Sequence, residues 1–307
     1  MSIRTPIARA CREPNPMTIG ILIFSEPKLE VHTGVDRLIE AGEAMGHTVV
    51  KIYEPRLSFL NGDIRHQGEA LANVDVIISR PNFIEEPSLR TYAVRKLLAS
   101  GQRIINGTPT FTWTKNKLIQ HMVFDEHNLP CPNWGITRDP AQALELASQI
   151  NFPVVLKVAF GTHGKGVFYA ENPETLRPIA EYLVIRDRNP VIVEEFVEEA
   201  QRKDLRVLVI GGEVIAAMER QAPIGDIRAN TSNGGTGHQV DLTLEEIALA
   251  KECAKVFNLE IAGVDLIRSK RGPLVLEVNS NPGFKELERV TGVDVAKAMI
   301  EYAAKQK

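Results

Sequence analysis

The sequence predicts an α/β protein: an N-terminal parallel α/β domain followed by two smaller α+β subdomains. Three observations carry this expectation. Short apolar runs alternate with helix-period segments between Ile19 and Ile105, the pattern of a parallel sheet with crossover helices. Later in the chain, apolar runs are joined by tight glycine-bearing turns at Gly211-Gly212 and around Ser269–Gly272, the pattern of antiparallel hairpins. The 307 residues are too many for one small core and suit two or three domains.

The first sixteen residues hold three arginines, three prolines and little periodicity, and read as a disordered tail; a transit peptide is the sharper alternative, but the segment lacks an amphipathic helix. Ile19–Phe24 is a buried parallel strand. Val35, Leu38, Ile39, Gly42 and Met45 recur at helical spacing, Gly46-His47 ends that helix, and Thr48–Ile52 is a second strand. Val74–Ile78 is a third strand, Ser88–Ala99 a helix and Arg103–Ile105 a fourth strand. No GxGxxG follows the first strand, so this is no obvious dinucleotide site. A helix from about Lys115 to His127 turns Leu118, Ile119, Met122 and Val123 to one face and ends at Asn128 and Pro130. Asp139-Pro140 and Asn172-Pro173 open two more helices; Val154–Val158 between them is a strand running into a glycine-rich loop. Val191–Phe196 is a strand, and Leu205–Ile210 pairs with Glu213–Arg220. A capping box at Thr243–Glu246 opens a helix to about Phe257. Ile261–Arg268 and Leu274–Asn279 form the second hairpin, and Val293–Ala304 is a closing helix. The expected divisions are a tail (1–16), the N-terminal domain (17–113), a central subdomain (114–190) and a C-terminal subdomain (191–307).

Composition narrows the function classes. Apolar residues make up 44% and charged residues 24%, with a net charge of −3, ordinary for a soluble globular chain and without the basic excess of a general nucleic-acid binder. No run approaches the ~18 apolar residues of a membrane span. Cys11, Cys131 and Cys253 lie far apart and give neither a disulfide framework nor a zinc signature. They read as reduced cytosolic thiols.

Four segments carry chemistry. In LEVNSNPG (276–283), Glu277 and Asn279 lie two apart and share a strand face. If Arg268 pairs with Leu274 across the turn, Asp265 lies opposite Glu277. The three would then give hard oxygen ligands for Mg²⁺; the plainer reading is a polar face on an edge strand. In LKVAFGTHGKGV (156–167), Gly161, Gly164 and Gly166 let backbone close over phosphate oxygens, and Lys157 on the preceding strand reaches toward them. This is not a Walker A loop, and alone it equally suits a flexible turn. In VIVEEFVEEAQRKDLRVLVIGG, a strand ending at Glu195, Phe196 and Val197 offers groups to an adenine edge, with Asp204 spaced for a ribose; Glu198, Glu199, Arg202 and Lys203 read as a solvated charge run. In MERQAPIGDIRANTSNGG, Arg220, Arg228 and Asn230 form a polar group suited to a transferring phosphoryl and an acyl acceptor.

These segments, in this order, resemble the ATP-grasp superfamily, and within it the RimK-like ligases; GPLVLEVNSNPGFKELERVTGVDVA is the most specific stretch. The resemblance implies two α+β ATP-grasp subdomains and an ADP-forming carboxylate–amine ligase that works through an acyl phosphate. It implies that Lys117 and Lys157 hold ATP phosphates, that Glu195 and Val197 form the adenine hinge and that Asp204 meets the ribose. It further implies Arg220 at the acyl phosphate, Arg228 and Asn230 beside it, and Asp265, Glu277 and Asn279 on Mg²⁺, with Mn²⁺ a substitute. The implied partners are an amino acid, glutamate favoured, and a carboxylate-bearing acceptor that is a protein C-terminus, a peptide or a small molecule. A cytoplasmic homodimer or homotetramer is the implied setting. His163, Lys165, Asn281 and Phe284 depart from the family pattern, and substrate choice depends on such positions. The alternatives are a dipeptide or cofactor-biosynthesis ligase and, in another class, a non-catalytic nucleotide-binding regulator.

Overall fold

A computed structural model describes residues 15–27, 34–82, 91–107, 113–161, 166–186, 188–229 and 234–306. The N-terminal part builds β1 (Thr18–Ile23), α1 (Val35–Ala44), β2 (Thr48–Tyr53), β3 (Leu57–Leu60), β4 (Asp63–His66), β5 (Glu69–Ala70), β6 (Val76–Arg80), α2 (Thr91–Ala99) and β7 (Ile104–Ile105). Strands β2, β1, β6 and β7 form a parallel sheet in that order, as the strand–helix alternation predicts. The small antiparallel sheet β3-β4-β5 is an addition to that expectation. Its signal was present in Asn61-Gly62, whose φ values of 50° and 94° make the left-handed two-residue turn that Asn-Gly favours. The start of the expected helix at Ser88 lies outside the described residues, as does most of the tail.

The middle of the chain contains α3 (Lys117–Glu126), β8 (Trp134–Thr137), α4 (Pro140–Ile150), β9 (Val154–Val158), β10 (Val167–Ala170), α5 (Pro173–Glu181) and β11 (Val191–Glu195). Asn116 caps α3 by accepting from Leu118 and Ile119, and Asp139 caps α4 by accepting from Ala141 and Gln142. The strands pair antiparallel in the order β10-β9-β11-β8. Ala143 and Ala147 of α4 and Leu176 and Ala180 of α5 bury against Leu156 and Val193 of this sheet.

The remainder contains β12 (Lys203–Ile210), β13 (Glu213–Gln221), β14 (Thr236–Gln239), α6 (Leu244–Val256), β15 (Ile261–Ser269), β16 (Gly272–Asn279), α7 (Lys285–Thr291) and α8 (Val295–Ala304). The expected closing helix is α8; α7 before it is an addition, separated from it where Gly292 turns left-handed (φ 71°) and Asp294 caps the new start. The five-stranded sheet runs β14-β13-β12-β15-β16.

Register in the β15–β16 hairpin corrects the expected pairing. Arg268 faces Pro273, not Leu274, because the turn closes at Ser269–Gly272. A bulge between Asp265 and Leu266 leaves Leu276 without a partner and restores Asp265 opposite Glu277. One extra residue flips the following side chains to the other face, so the bulge brings the two carboxylates together.

Two apolar clusters determine which elements belong together. Ile19, Ile21, Val35 and Leu38 share one cluster with Leu208 and Ile210 of β12, Leu287 of α7 and Met299, Ile300 and Ala303 of α8. Val123 and Phe124 of α3 bury with Phe257, Val264 and Val278 behind the C-terminal sheet. Asn106 reinforces the first junction: its amide donates to the carbonyls of Ile261 and Ser280 and accepts from the N–H groups of Glu260 and Ile261. Among the described residues no helix is long and apolar enough to cross a membrane.

Candidate active site

A cavity of about 760 Å³ lies between the central and C-terminal sheets. Lys117, Lys157, Gly161, Glu195, Phe196, Val197, Asp204, Arg220, Arg228, Asp265, Glu277 and Asn279 all line it. The sequence-selected residues therefore converge, although they come from two sheets and several connections. Gly166, which precedes the lining residue Val167, has φ 82°, and a Cβ there would strike Val158. Gly164 and Asn230, with His163 and Lys165, lie outside the described residues.

The C-terminal wall is a row of charges across four adjacent strands. Asp204 and Arg206 alternate on one face of β12. The register sets Arg220 of β13 opposite Asp204, Asp265 of β15 opposite Arg206, and Glu277 of β16 opposite Asp265. Arg220 grips both Asp204 oxygens at 2.6 and 2.8 Å. Arg206 grips both Asp265 oxygens at 2.5 and 2.8 Å, and Arg220 also reaches Asp265 at 3.1 Å. Gly263 makes room for this row, since a Cβ there would meet Pro282 at 2.7 Å and Arg206 at 3.3 Å. Burial alone would raise the Asp265 carboxyl, but Arg206 and Arg220 outweigh it and hold it below the usual carboxylate range. Burial would likewise lower the Arg220 guanidinium, and Asp265 and Asp204 reverse that.

The opposite wall centres on Glu194 of β11. Lys157 Nζ donates to one carboxylate oxygen at 2.5 Å, and His121 Nε2 faces the other at 2.7 Å. Both His121 ring nitrogens face acceptors, because Nδ1 lies 2.8 Å from the Lys117 carbonyl. Burial pushes the Glu194 carboxyl up, yet Lys157 and His121 overcome it and hold it at about 2. Lys117 stands between the walls, 3.4 Å from both the Gly161 carbonyl and Glu277 Oε1. Lys115 lines the same end of the cavity; burial lowers its ammonium to about 8 against the opposing pull of Glu277.

Several groups differ from the sequence expectation. The Glu195 carboxylate turns to Arg271 at 2.6 Å and to the Asn133 N–H at 3.0 Å, so it is engaged with protein rather than offered to a base edge. Asp204 is likewise occupied by Arg220. Arg228 folds onto its neighbour Asp226. Sequence reasoning missed Arg206, Glu194 as an ion-pair centre, His121 and Lys115. The alternation after Asp204 could have revealed Arg206, and the helical spacing after Lys117 could have revealed His121. Phe284, one of the departures from the family pattern, is buried against Gly34 and lies 5.5 Å beneath the Arg80 guanidinium. It therefore fills the space between Gly34, Arg80 and the loop after β16.

Among the described residues no cluster of three or more His, Cys, Asp and Glu could hold a metal. The donor set is instead two carboxylates paired across a ladder with one amide beside them, hard oxygen chemistry that suits a divalent cation sharing its shell with phosphate oxygens; in this structure Asp265 is engaged by Arg206 and Arg220, and Glu277 lies 3.4 Å from Lys117.

The RimK-like ATP-grasp domain family matches residues 114–303. The chain is 35% identical over 298 residues to a probable alpha-L-glutamate ligase of Parasynechococcus marenigrum (strain WH8102), covering 94% of this chain and 62% of that one. It is 36% identical over 295 residues to a probable alpha-L-glutamate ligase of Aliivibrio fischeri (strain MJ11), covering 94% and 96%. It therefore spans about three-fifths of the first relative and nearly all of the second. The ATP-grasp ligase PsnB, solved with a minimal precursor, superposes with a TM-score of 0.74 at 19% identity, covering 95% of this chain and 99% of that one. At that identity the superposition shows a shared fold.

Proposed function

The chain belongs to the RimK-like ATP-grasp family, and from that premise we propose that it is an ADP-forming ligase joining a carboxylate to an amine. The observation that carries this reading is the convergence of Lys117, Lys157, Arg220, Asp265, Glu277 and Asn279 on one cavity. The names of the curated relatives favour glutamate as the amino acid; the proposed carboxylate-bearing acceptor is a peptide, a protein C-terminus or a small molecule.

A carboxylate resists attack by an amine because its departing group would be oxide. In the proposed reaction a carboxylate oxygen attacks the γ-phosphorus of ATP, the bond to ADP breaks, and an acyl phosphate forms. The amine then attacks the acyl carbon, phosphate leaves with the former carboxylate oxygen, and the nitrogen gives up one proton to solvent, leaving the amide. The protein's part is alignment and charge neutralisation. Lys117 and Lys157 approach the phosphates from α3 and β9, and Arg220 steadies the transferring phosphoryl from β13. Phe196 and Val197 flank the base, and the family resemblance assigns Gly161, Gly164 and Gly166 to the phosphates. The family resemblance assigns Asp204 to the ribose, and Arg228 and Asn230 to a nucleotide- and acceptor-side polar group. Asp265, Glu277 and Asn279 would hold Mg²⁺ or Mn²⁺, which neutralises charge on the phosphoryl oxygens when bound. A cytoplasmic homodimer or homotetramer is proposed on the family resemblance, and light scattering of the purified chain checks the assembly.

The test is ADP release with Mg·ATP against a matrix of amino acids and acceptors, comparing wild type with Glu277→Ala. Release should need both partners and fall about 100- to 1,000-fold in the variant. Tight ATP binding with no release under any pairing would favour a nucleotide-binding regulator.

A further inference from the structure

β16 is the edge strand of its sheet, and edge strands expose backbone groups that must be met. One such group is the Val278 N–H, which lies in sequence between Glu277 and Asn279. It donates to Gln120 Oε1 at 2.8 Å. Gln120 is 1% exposed and sits on α3, one turn beyond Lys117. Its Nε2 donates to the Thr114 carbonyl at 2.9 Å. The amide orientation is settled by chemistry, since an N–H needs the oxygen and a carbonyl needs the nitrogen. Thr114 in turn donates through its hydroxyl to Ser280 Oγ at 2.7 Å.

These bonds tie the start of α3 to the strand on both sides of Asn279. Lys117 on the same turn is bound by its N–H to the Ala159 carbonyl, at the mouth of the glycine-rich loop. We infer that Gln120 is a positioning residue that fixes the twist of β16, so that Glu277 and Asn279 face a divalent cation in register with Lys117. The Val278 amide is the hinge point because the side chains on either side of it turn together when the strand rotates. Partners behind a metal ligand set its direction, and their loss costs about 10- to 100-fold in metal affinity. This inference rests on the proposed metal role of Glu277 and Asn279.

The experiment measures Mg²⁺-dependent ADP binding by calorimetry, with no turnover, in wild type, Gln120→Met and Glu277→Ala. Methionine keeps the length of the side chain and removes both hydrogen bonds. The half-saturating Mg²⁺ should rise about 10- to 100-fold in Gln120→Met, while ADP affinity without Mg²⁺ stays within about twofold. Hydrogen exchange at the Val278 amide should accelerate in the same variant. A wild-type Mg²⁺ dependence in folded Gln120→Met overturns the inference, even if its melting temperature falls, because that pattern marks a structural role alone. If Gln120→Met does not fold, Gln120→Asn, one methylene short of the span, replaces it: a raised Mg²⁺ requirement supports the positioning role and an unchanged one overturns it. An unchanged Mg²⁺ dependence in Glu277→Ala sinks the metal assignment itself. A shift in Glu277→Ala without one in the Gln120 variant sinks only the positioning role.

Discussion

The two walls of the cavity solve the same problem differently. In the central wall a single buried carboxylate, Glu194, serves two donors, Lys157 and His121. In the C-terminal wall two carboxylates and two guanidinium groups share their contacts, and Arg220 touches both Asp204 and Asp265. A charge taken out of water is tolerated only when paired. Among the described residues the first wall pairs its cations with one acid, whereas the second has an alternate partner built into its register. The difference teaches that burial alone does not set how much a charged residue matters; the number of remaining partners does.

The largest effect should come from removing the unshared acid. Glu194→Ala leaves Lys157 and His121 facing an emptied site, and denaturant unfolding should show a loss of about 3–5 kcal/mol. Asp204→Ala should cost less, about 1–3 kcal/mol, because Arg220 keeps Asp265 at 3.1 Å. An equal cost for the two would break the comparison.

Acid sharpens it next. The Glu194 carboxyl is held at about 2, below its ordinary 4.5, so the unfolded chain takes up the proton more readily. Stability from this group is therefore full above about pH 4.5 and is lost as the pH falls toward 2, with a slope of at most about 1.4 kcal/mol per pH unit. Glu194→Gln should flatten the stability profile by that much between pH 4.5 and 3, and an identical slope in both proteins would contradict the assignment. The smallest effect belongs to Arg271, whose side chain is 47% exposed beside Glu195. Arg271→Ala should change unfolding by less than about 1 kcal/mol.

Much of this was legible in the sequence because local rules govern it. The caps at Asp139, Asn172 and Thr243 and the Gly211-Gly212 turn stand where composition predicts them. The strand alternation that pairs Glu277 with Asn279 was legible for the same reason. The Asp265–Glu277 pairing was reached through a turn register off by one residue, and the bulge at Leu276 cancelled the error. No local rule announces a bulge between apolar residues. The ion pairs were less legible, because Glu194 meets His121 and Arg206 meets Asp265 only after separate segments fold together. Nothing in the spacing of EEF shows that Glu194 turns inward to Lys157 while Glu195 turns outward to Arg271 until the strand's two faces are known.

The apolar cluster that joins β1 and α1 to α8 bears on how the chain is made. One face of the N-terminal sheet is covered by nearby sequence, with Leu22, Ile52 and Ile77 packed against Val94 and Leu97 of α2. The other face finds Met299, Ile300 and Ala303, residues translated long after β1. During vectorial synthesis α1 supplies Val35 and Leu38 to that face early, and the part that meets α8 waits while the central and C-terminal strands emerge. The complete core beneath the N-terminal sheet therefore closes late in folding despite its early codons.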